Sequence, residues 1–564
     1  MDNQRLILFL ALAIVTLLLW DSWEGKFNPQ PQSTVQSDRS LTEQVPTVSS
    51  SGTSSVPGLA SELARDIPEV ETTTDKPAIN AKTSVGSNTR IRVVTDNLDM
   101  DIDSKGGDLR RVFLLKYPIS QEKKNEPYPF LDDNLPQLYI AQSGLLSTES
   151  APDHHAIYSV DKTDYVMEAG QDLRVPLIWT SEDGKITVKK TYIFRSNDYL
   201  IDVTHEVINN SDQEWRGRAY SQLQRNEYDE PGKSRLLYTF TGGAFSTLDN
   251  AYQKINFDEM SEWRAEQSYS KGGWVGMLQH YFVAAWIPEK ESLNHFYTRS
   301  IDDTRFIIGM TGKENIVPAN SSKVFSRSLY VGPKDQARMA EIADNLNLTV
   351  DYGILTFIAK PIFWLLGTIH GYVGNWGWAI IFVTLTIKLI FYKLSAASYR
   401  SMANMRKIAP KFQSIRDRFG DDKQRMSQAM MELYKKEKVN PMSGCWPMLV
   451  QIPVFISLYW VLLESVELRQ APFMLWIEDL STKDPYYILP ILMGVSMWFQ
   501  QKLSANPSLD PMHQKIMQFL PIIFTFFFML FPAGLVLYWV VNSILSILQQ
   551  WYITRQIEGA TEKP

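Results

Sequence analysis

The stretch that most constrains this chain is 371–394, GYVGNWGWAIIFVTLTIKLIFYKL, long and apolar enough to cross a bilayer yet carrying Lys388 within it. A lysine at the centre of a membrane helix costs about 2.5 to 3.5 kcal/mol on insertion scales, so such residues usually face a bundle interior or a wet cavity. Lys388 lies about six residues before the end of the stretch, about 9 Å at the rise of a helix. Two readings therefore stay open: a polar site inside a bundle, or a side chain that snorkels to the headgroups beside Lys393.

At 564 residues, 45% hydrophobic and with a mean hydropathy of −0.18, the chain is too polar to lie wholly in a membrane, yet it holds several long apolar runs. One large water-facing domain and one membrane block satisfy both facts. The single cysteine, Cys445, excludes an intramolecular disulfide framework and a CxxC metal knuckle, and it sits in an apolar run as a small hydrophobe would. Residues 395–440 hold eleven Lys and Arg against five Asp and Glu, a local +6 that leaves −12 on the rest of a chain whose net charge is −6. Short basic connections between spans stay in the cytoplasm, which orients the block.

Along the chain, Leu6–Trp20 is apolar, preceded by Arg5 and followed by Asp21 and Glu24, with bulky residues where a cleavage site needs small ones. We read 1–27 as an uncleaved signal anchor with its N-terminus inside; a cleaved signal peptide is the alternative. Residues 28–90 are rich in Ser, Thr, Pro and Gln and poor in aromatics, a linker unable to offset its ordering entropy. From Ile91, short alternating runs such as KITVKKTYIF and YLIDVTHEVI, separated by Gly, Asn and Asp turns, predict a largely antiparallel β-sandwich spanning 91–350, closed by a helix over 334–345. Its histidines, His154, His155, His205, His280 and His295, have no metal-ligand spacing, and His205-Glu206 is the one candidate acid/base pair. No phosphate loop or nucleophile elbow accompanies them, so we expect a docking or spacing domain and no enzyme.

Residues 352–394 would make a helix of about 60 Å against a hydrocarbon core of about 30 Å, so the run must break. Pro361 and the Gly371, Gly374, Asn375, Gly377 cluster supply the punctuation. The pattern predicts an interfacial amphipathic helix over 351–371, then the span 372–394 running inward. Further spans follow at 441–463 and 487–503, joined by an external loop, 464–486, with five acidic residues against two basic. A short cytoplasmic turn, 504–514, leads to the last apolar run. FPAG at 531–534 divides that run into spans 515–530 and 534–554 ahead of a short tail, 555–564. That makes six spans with both termini inside. The fifth, about 24 Å long, is short enough to favour local bilayer thinning.

The basic connection has a seam of Met405, Ile408, Phe412, Ile415 and Phe419 answered by Met426, Met430 and Leu433, with GDD at 420–422 as a turn. This predicts a two-helix cytoplasmic hairpin interrupted near Pro410. It is either a solvated structural hairpin or a contact surface for a ribosome, another protein or an emerging chain. In the second case the surface comprises Met405, Lys411, Arg416, Arg418, Lys423 and Arg425.

Four pieces of the membrane block are specific in combination: VNPMSGCWPMLVQIPVFISLY (439–459), VELRQAPFMLWIEDLSTKDPYYILPILMG (466–494), DPMHQKIM (510–517) and FPAGLVLYW (531–539). They resemble the YidC/Oxa/Alb family of membrane protein insertases, in its Gram-negative form with a large periplasmic domain, and the resemblance runs the whole length. It implies a polytopic α-helical membrane protein whose five-helix core encloses a hydrophilic groove, open to the cytoplasm and lipid and sealed outside. Lys388 falls where related proteins typically carry the groove arginine, which keeps the charge and loses the bidentate fork. By the same resemblance Thr384, Gln451 and Tyr538 line the groove, and Trp539 stands where a tyrosine is often found.

The implied activity is insertion and folding of inner-membrane proteins, with nascent membrane proteins as clients, the lipid bilayer as medium, and ribosome or signal recognition particle machinery and the Sec translocon as partners. No cofactor and no direct nucleic-acid recognition are implied, and no nucleotide motif is present. The rival class is an ion or solute transporter using Lys388 as a substrate or coupling site. That reading predicts paired carboxylates or internal repeats, and the spans contain neither.

Overall fold

The computed structural model describes residues 88–228, 239–263, 269–301, 304–420, 422–437, 446–504 and 511–559. The signal anchor (1–27), the linker up to residue 87, Cys445 and the 505–510 turn lie outside the described residues.

The alternating runs pair as β-sheets. Among the described residues an eleven-stranded sheet packs on an eight-stranded one. All pairings are antiparallel except Arg90–Val94 with Asp164–Val166. Side chains on a strand alternate between faces. In Ile186–Phe194 this buries Ile186, Val188, Lys190, Tyr192 and Phe194, and in the neighbouring strand Leu200–Asn209 it buries Ile201, Val203, His205, Val207 and Asn209. The same alternation separates the one candidate acid/base pair, because His205 points into the core and Glu206 to the other face. Burial, reinforced by the charges of Lys190 and Arg327, holds the His205 imidazole well below its ordinary pKa, so it stays neutral. Two further histidines have structural partners: the His154 backbone N–H donates to the Tyr220 hydroxyl (2.9 Å), and His280 Nε2 bonds the Leu463 carbonyl (2.9 Å). No group of three or more metal-ligating side chains occurs among the described residues.

The helix that closes the sandwich, α1 (Gln336–Ile342), is shorter than the 334–345 expected, because Asp335 caps it by accepting from the Arg338 N–H (3.1 Å). The helical block follows as α2 (Thr356–Val373), α3 (Trp376–Ile390), α4 (Tyr392–Lys407), α5 (Ala409–Phe419), α6 (Lys423–Lys436), α7 (Trp446–Glu464), α8 (Ile488–Ser504), α9 (Pro511–Phe528) and α10 (Ala533–Gly559). Its breaks have local causes. Gly374, in the left-handed region (φ 66°), ends α2 through its N–H to the His370 carbonyl (2.8 Å), and Asn375 then caps α3 by accepting from the Trp378 N–H (3.1 Å). Pro410 occupies the first turn of α5, where its missing N–H costs nothing. Asp422 caps α6 by accepting from the N–H groups of Gln424 (3.1 Å) and Arg425 (3.0 Å).

Helix α2 starts five residues ahead of Pro361 and buries Ala359, Ile362 and Leu366 on one stripe. By length and composition, two helices among the described residues suffice to cross a membrane: the segment Gly353–Val373, which includes α2, and the stretch Ala533–Ile557 of α10. The first is peripheral, with 17% of its apolar window buried against 56% for the second. Helices α3 and α4 qualify as a third only as a pair bent by 67°. The helix carrying Lys388 thus ends at Ile390, short of residue 394. Leu449–Glu464 and Gln518–Phe528 are apolar but shorter.

The 465–487 loop joins sandwich and helices. Toward the helices, Asn375 Nδ2 donates to the Pro472 (3.1 Å) and Phe473 (3.0 Å) carbonyls, the Gly534 N–H to the Leu480 carbonyl (2.9 Å) and the Ala533 N–H to the Thr482 carbonyl (2.7 Å). A Cβ at Gly377 would run into the Phe473 ring, so only glycine permits this approach. Toward the sandwich, Arg469 donates to the Pro118 carbonyl (2.8 Å), and Gln121 donates to the carbonyls of Gln470 (2.9 Å) and Glu478 (3.0 Å). Burial, with Asp335 nearby, pushes the Glu467 carboxyl up to about 7, and its Oε2 has no hydrogen-bond partner.

Candidate functional site

Tyr538, Asn542 and Ser546 recur every four residues on α10 and so share a face. Two other helices reach that face. From α3, the half-buried Lys388 donates its ammonium to Ser546 Oγ at 2.8 Å, and Ser546 Oγ in turn donates to the Asn542 carbonyl at 2.7 Å. From α7, Gln451 Nε2 donates to the Tyr538 hydroxyl at 2.5 Å. Lys388 therefore turns toward α10, and of the two sequence readings the bundle-facing one describes its geometry.

Three of the five anticipated groove residues, Lys388, Gln451 and Tyr538, thus meet on α10. Thr384 lies one turn before Lys388 but is buried, and its hydroxyl donates to the Ile380 carbonyl of its own helix (2.7 Å). Trp539 points to another face, where its ring packs on Phe455 (4.8 Å between centroids) and Phe528 (5.3 Å).

Residues 90–365 match the family described as YidC periplasmic domain, and residues 368–561 the family described as 60Kd inner membrane protein. A membrane protein insertase YidC from Methylococcus capsulatus is 50% identical over 569 residues, covering 100% of each chain. The chain belongs to the YidC family of membrane protein insertases. The YidC of Thioalkalivibrio sulfidiphilus is 49% identical, again over 100% of both chains. Among solved structures, an active YidC insertase with its first transmembrane domain resolved covers 83% of this chain and 93% of its own, at 16% identity and a TM-score of 0.40, too loose a likeness to carry site geometry.

For a YidC-family chain, the residues the sequence reading missed are Ser546 and Asn542, the immediate surroundings of the Lys388 ammonium. Their signal was present: Asn542, Ser546 and Gln549 make a polar stripe at helical spacing in an otherwise apolar span. Asn542 Oδ1 and Ser457 Oγ are buried without hydrogen-bond partners, adding unsatisfied polar capacity to the bundle.

The basic hairpin separates into a core and a charged exterior. Met405 was expected on the contact surface, but it is buried with Ile408, Phe412 and Leu433, because a residue at a seam position faces the partner helix. Lys411 pairs with Glu437 (2.6 Å) and Arg425 with Asp422 (3.2 Å), while Arg416 and Arg418 are exposed. Lys423 opens α6.

Proposed function

We propose that this chain inserts and folds inner-membrane proteins through a hydrophilic groove built on α10, with Lys388 as its cation. Six spans, with both termini cytoplasmic and the sandwich periplasmic, give the arrangement in which the basic hairpin stays inside. One observation carries the reading: the Lys388 ammonium rests on a hydroxyl of α10, 2.8 Å away, inside the helical block. A serine hydroxyl is neutral, so the positive charge is available to a client.

The hydrophilic end or loop of a client enters the groove partway, where wet surroundings lower the desolvation cost of crossing. The attraction of Lys388 for an acidic residue in that segment is stronger there than in bulk water. Gln451 and Tyr538 extend the polar face of the same groove along α10, while Thr384 and Trp539 pack behind it. Partition of the client's apolar helix into lipid drives the process, and no nucleotide is consumed. Lys411, Arg416, Arg418, Lys423 and Arg425 form the cytoplasmic surface for ribosome, signal recognition particle or Sec translocon partners, and the 465–487 loop seals the outer end.

The test is insertion of a small, short-looped client into liposomes containing only this protein, read by protease protection of the loop. Lys388→Arg should retain the activity. Lys388→Ala should lose roughly tenfold, the equivalent of about 1.4 kcal/mol. Undiminished insertion by Lys388→Ala would remove the charge from the mechanism.

A further inference from the structure

A cavity of about 80 Å³ lies where the sandwich meets the sandwich-side end of α7. Its wall includes Tyr252 and Lys254 from the sandwich, Lys334 ahead of α1, Asp351 in the connection to α2, and Trp460 and Glu464 on α7. Two cations and two anions thus share one small space. Lys254 Nζ lies 2.5 Å from Asp351 Oδ2, and Lys334 Nζ lies 3.6 Å from Glu464 Oε2, with the second pair almost wholly buried at 3% and 9% side-chain exposure. The Lys254 ammonium also stands 4.9 Å from the centroid of the Phe240 ring. The Tyr252 hydroxyl is buried without a hydrogen-bond partner, with the Asp351 and Glu464 carboxylates as its charged neighbours.

Immediately beyond Gly353 on the cavity rim the chain turns apolar and outward. Ile354 is 92% exposed and Phe357 73% exposed at the start of α2. Side chains of that kind on a membrane-flanking helix are covered by lipid. Trp460, one turn inside the end of α7, sits where an indole marks the boundary between headgroups and hydrocarbon. The cavity is therefore polar and charged within, apolar at its rim and, in the six-span arrangement proposed above, level with the bilayer surface.

The charge pattern selects the ligand. A purely anionic group would be repelled by the two carboxylates, and a purely cationic one by the two lysines. A zwitterion satisfies both pairs. A phosphate takes charge-assisted hydrogen bonds from Lys254 and Lys334 and a further one from the idle Tyr252 hydroxyl, and a primary ammonium donates to Asp351 and Glu464. A quaternary ammonium has no N–H to give the carboxylates, and a glycerol headgroup brings no cation. We propose that this cavity binds the phosphoethanolamine headgroup of a phospholipid, with the acyl chains lying along Ile354 and Phe357, so that one lipid is wedged between sandwich and bundle.

The experiment is native mass spectrometry of the full chain in detergent with added phosphatidylethanolamine, phosphatidylcholine or phosphatidylglycerol of identical acyl chains. Tyr252→Phe and Lys254→Gln are measured beside the wild type; the first removes one oxygen and the second leaves the buried Lys334–Glu464 pair in place. The wild type should retain one phosphatidylethanolamine roughly tenfold better than either other lipid, the worth of one or two charge-assisted hydrogen bonds. Because both groups serve the phosphate, Tyr252→Phe should weaken retention of phosphatidylethanolamine several-fold, and Lys254→Gln should weaken it further. Equal retention of the three lipids by the wild type, or unchanged retention of phosphatidylethanolamine by Tyr252→Phe, would overturn the site. Displacement of the lipid by stoichiometric soluble phosphoethanolamine would assign the cavity to the free zwitterion and overturn the lipid assignment.

Discussion

Lys190 of the sandwich and Lys388 of the helical block each lie inside their half of the molecule, and they are held differently. Lys190, at the centre of the sandwich, donates to the Gly106 carbonyl (3.0 Å) and the Ser143 carbonyl (2.9 Å) and lies against the rings of Tyr158 and Tyr192. Burial lowers it to about 8, against which the nearby Asp108 carboxylate works. Lys388, at the centre of the helical block, is half-buried and donates to one serine hydroxyl. An ammonium has three protons to give. The sandwich spends its lysine on the fold's own carbonyls, whereas the bundle leaves donors of its lysine over. Burial alone therefore does not mark a functional charge; spare hydrogen-bonding capacity does.

The surfaces differ in the same sense. Trp215, Trp274 and Trp286 of the sandwich are no more than 1% exposed, whereas Trp364 and Trp551 of the helical block are 69% and 51% exposed. The sandwich hides its large apolar groups from water. The helices leave theirs exposed, as an apolar surrounding would allow, and keep Tyr538, Ser546 and Gln550 inside.

Replacing each lysine by methionine gives the sharpest contrast. In Lys190→Met the two backbone carbonyls lose their cation inside the core, and we expect a loss of about 4 kcal/mol, read from urea unfolding of the full chain. Lys388→Met should leave that stability unchanged while reducing insertion. Equal destabilisation by both would erase the distinction.

Next in size is a pH dependence at the seam between the halves. The Glu467 carboxyl titrates near 7 in the fold against an ordinary 4.5, so the folded chain holds this proton more tightly than the unfolded one. Its contribution is complete below about pH 4.5 and is lost as the pH rises through about 7, a decline of at most about 3 kcal/mol. Unfolding midpoints at pH 5, 6, 7 and 8 should fall for the wild type and stay flatter for Glu467→Gln. Parallel curves would mean that the carboxyl does not titrate in this range.

The smallest effect is expected at Phe526 on α9, which is 64% exposed. In lipid nanodiscs Phe526→Ala should change stability by less than about 0.5 kcal/mol, because the ring leaves one apolar environment for another of the same kind. A loss of several kcal/mol there would mean that protein, and not lipid, covers this face.

Much of the fold was legible because it is written in local terms. Alternation in 186–194 and 200–209 declared strands, and Gly374-Asn375 and Pro410 declared helix ends, since left-handed backbone, side-chain caps and a missing N–H act within one turn. The site was legible in part. Lys388 stood out through its cost in an apolar run, and Gln451 and Tyr538 through resemblance. Ser546 escaped notice because serine is unremarkable in a span until its partner is known. Met405 was misplaced because the same residue served both as a seam position and as an adaptable surface group, and only packing against Leu433 decides between them.

By itself the sequence determined the two-part architecture and the presence of one cation within an apolar run, which follow from composition, period and breakers along the chain, and the family, which follows from its resemblance to known sequences. The tertiary structure alone decided that Lys388 meets Ser546, 158 residues away, that Gln451 meets Tyr538 across two helices, and that Lys334 of the sandwich pairs with Glu464 of α7. Periodicity says which face of an element is buried. What that face meets depends on the angle and register at which distant elements pack, and no stretch of sequence holds those quantities locally.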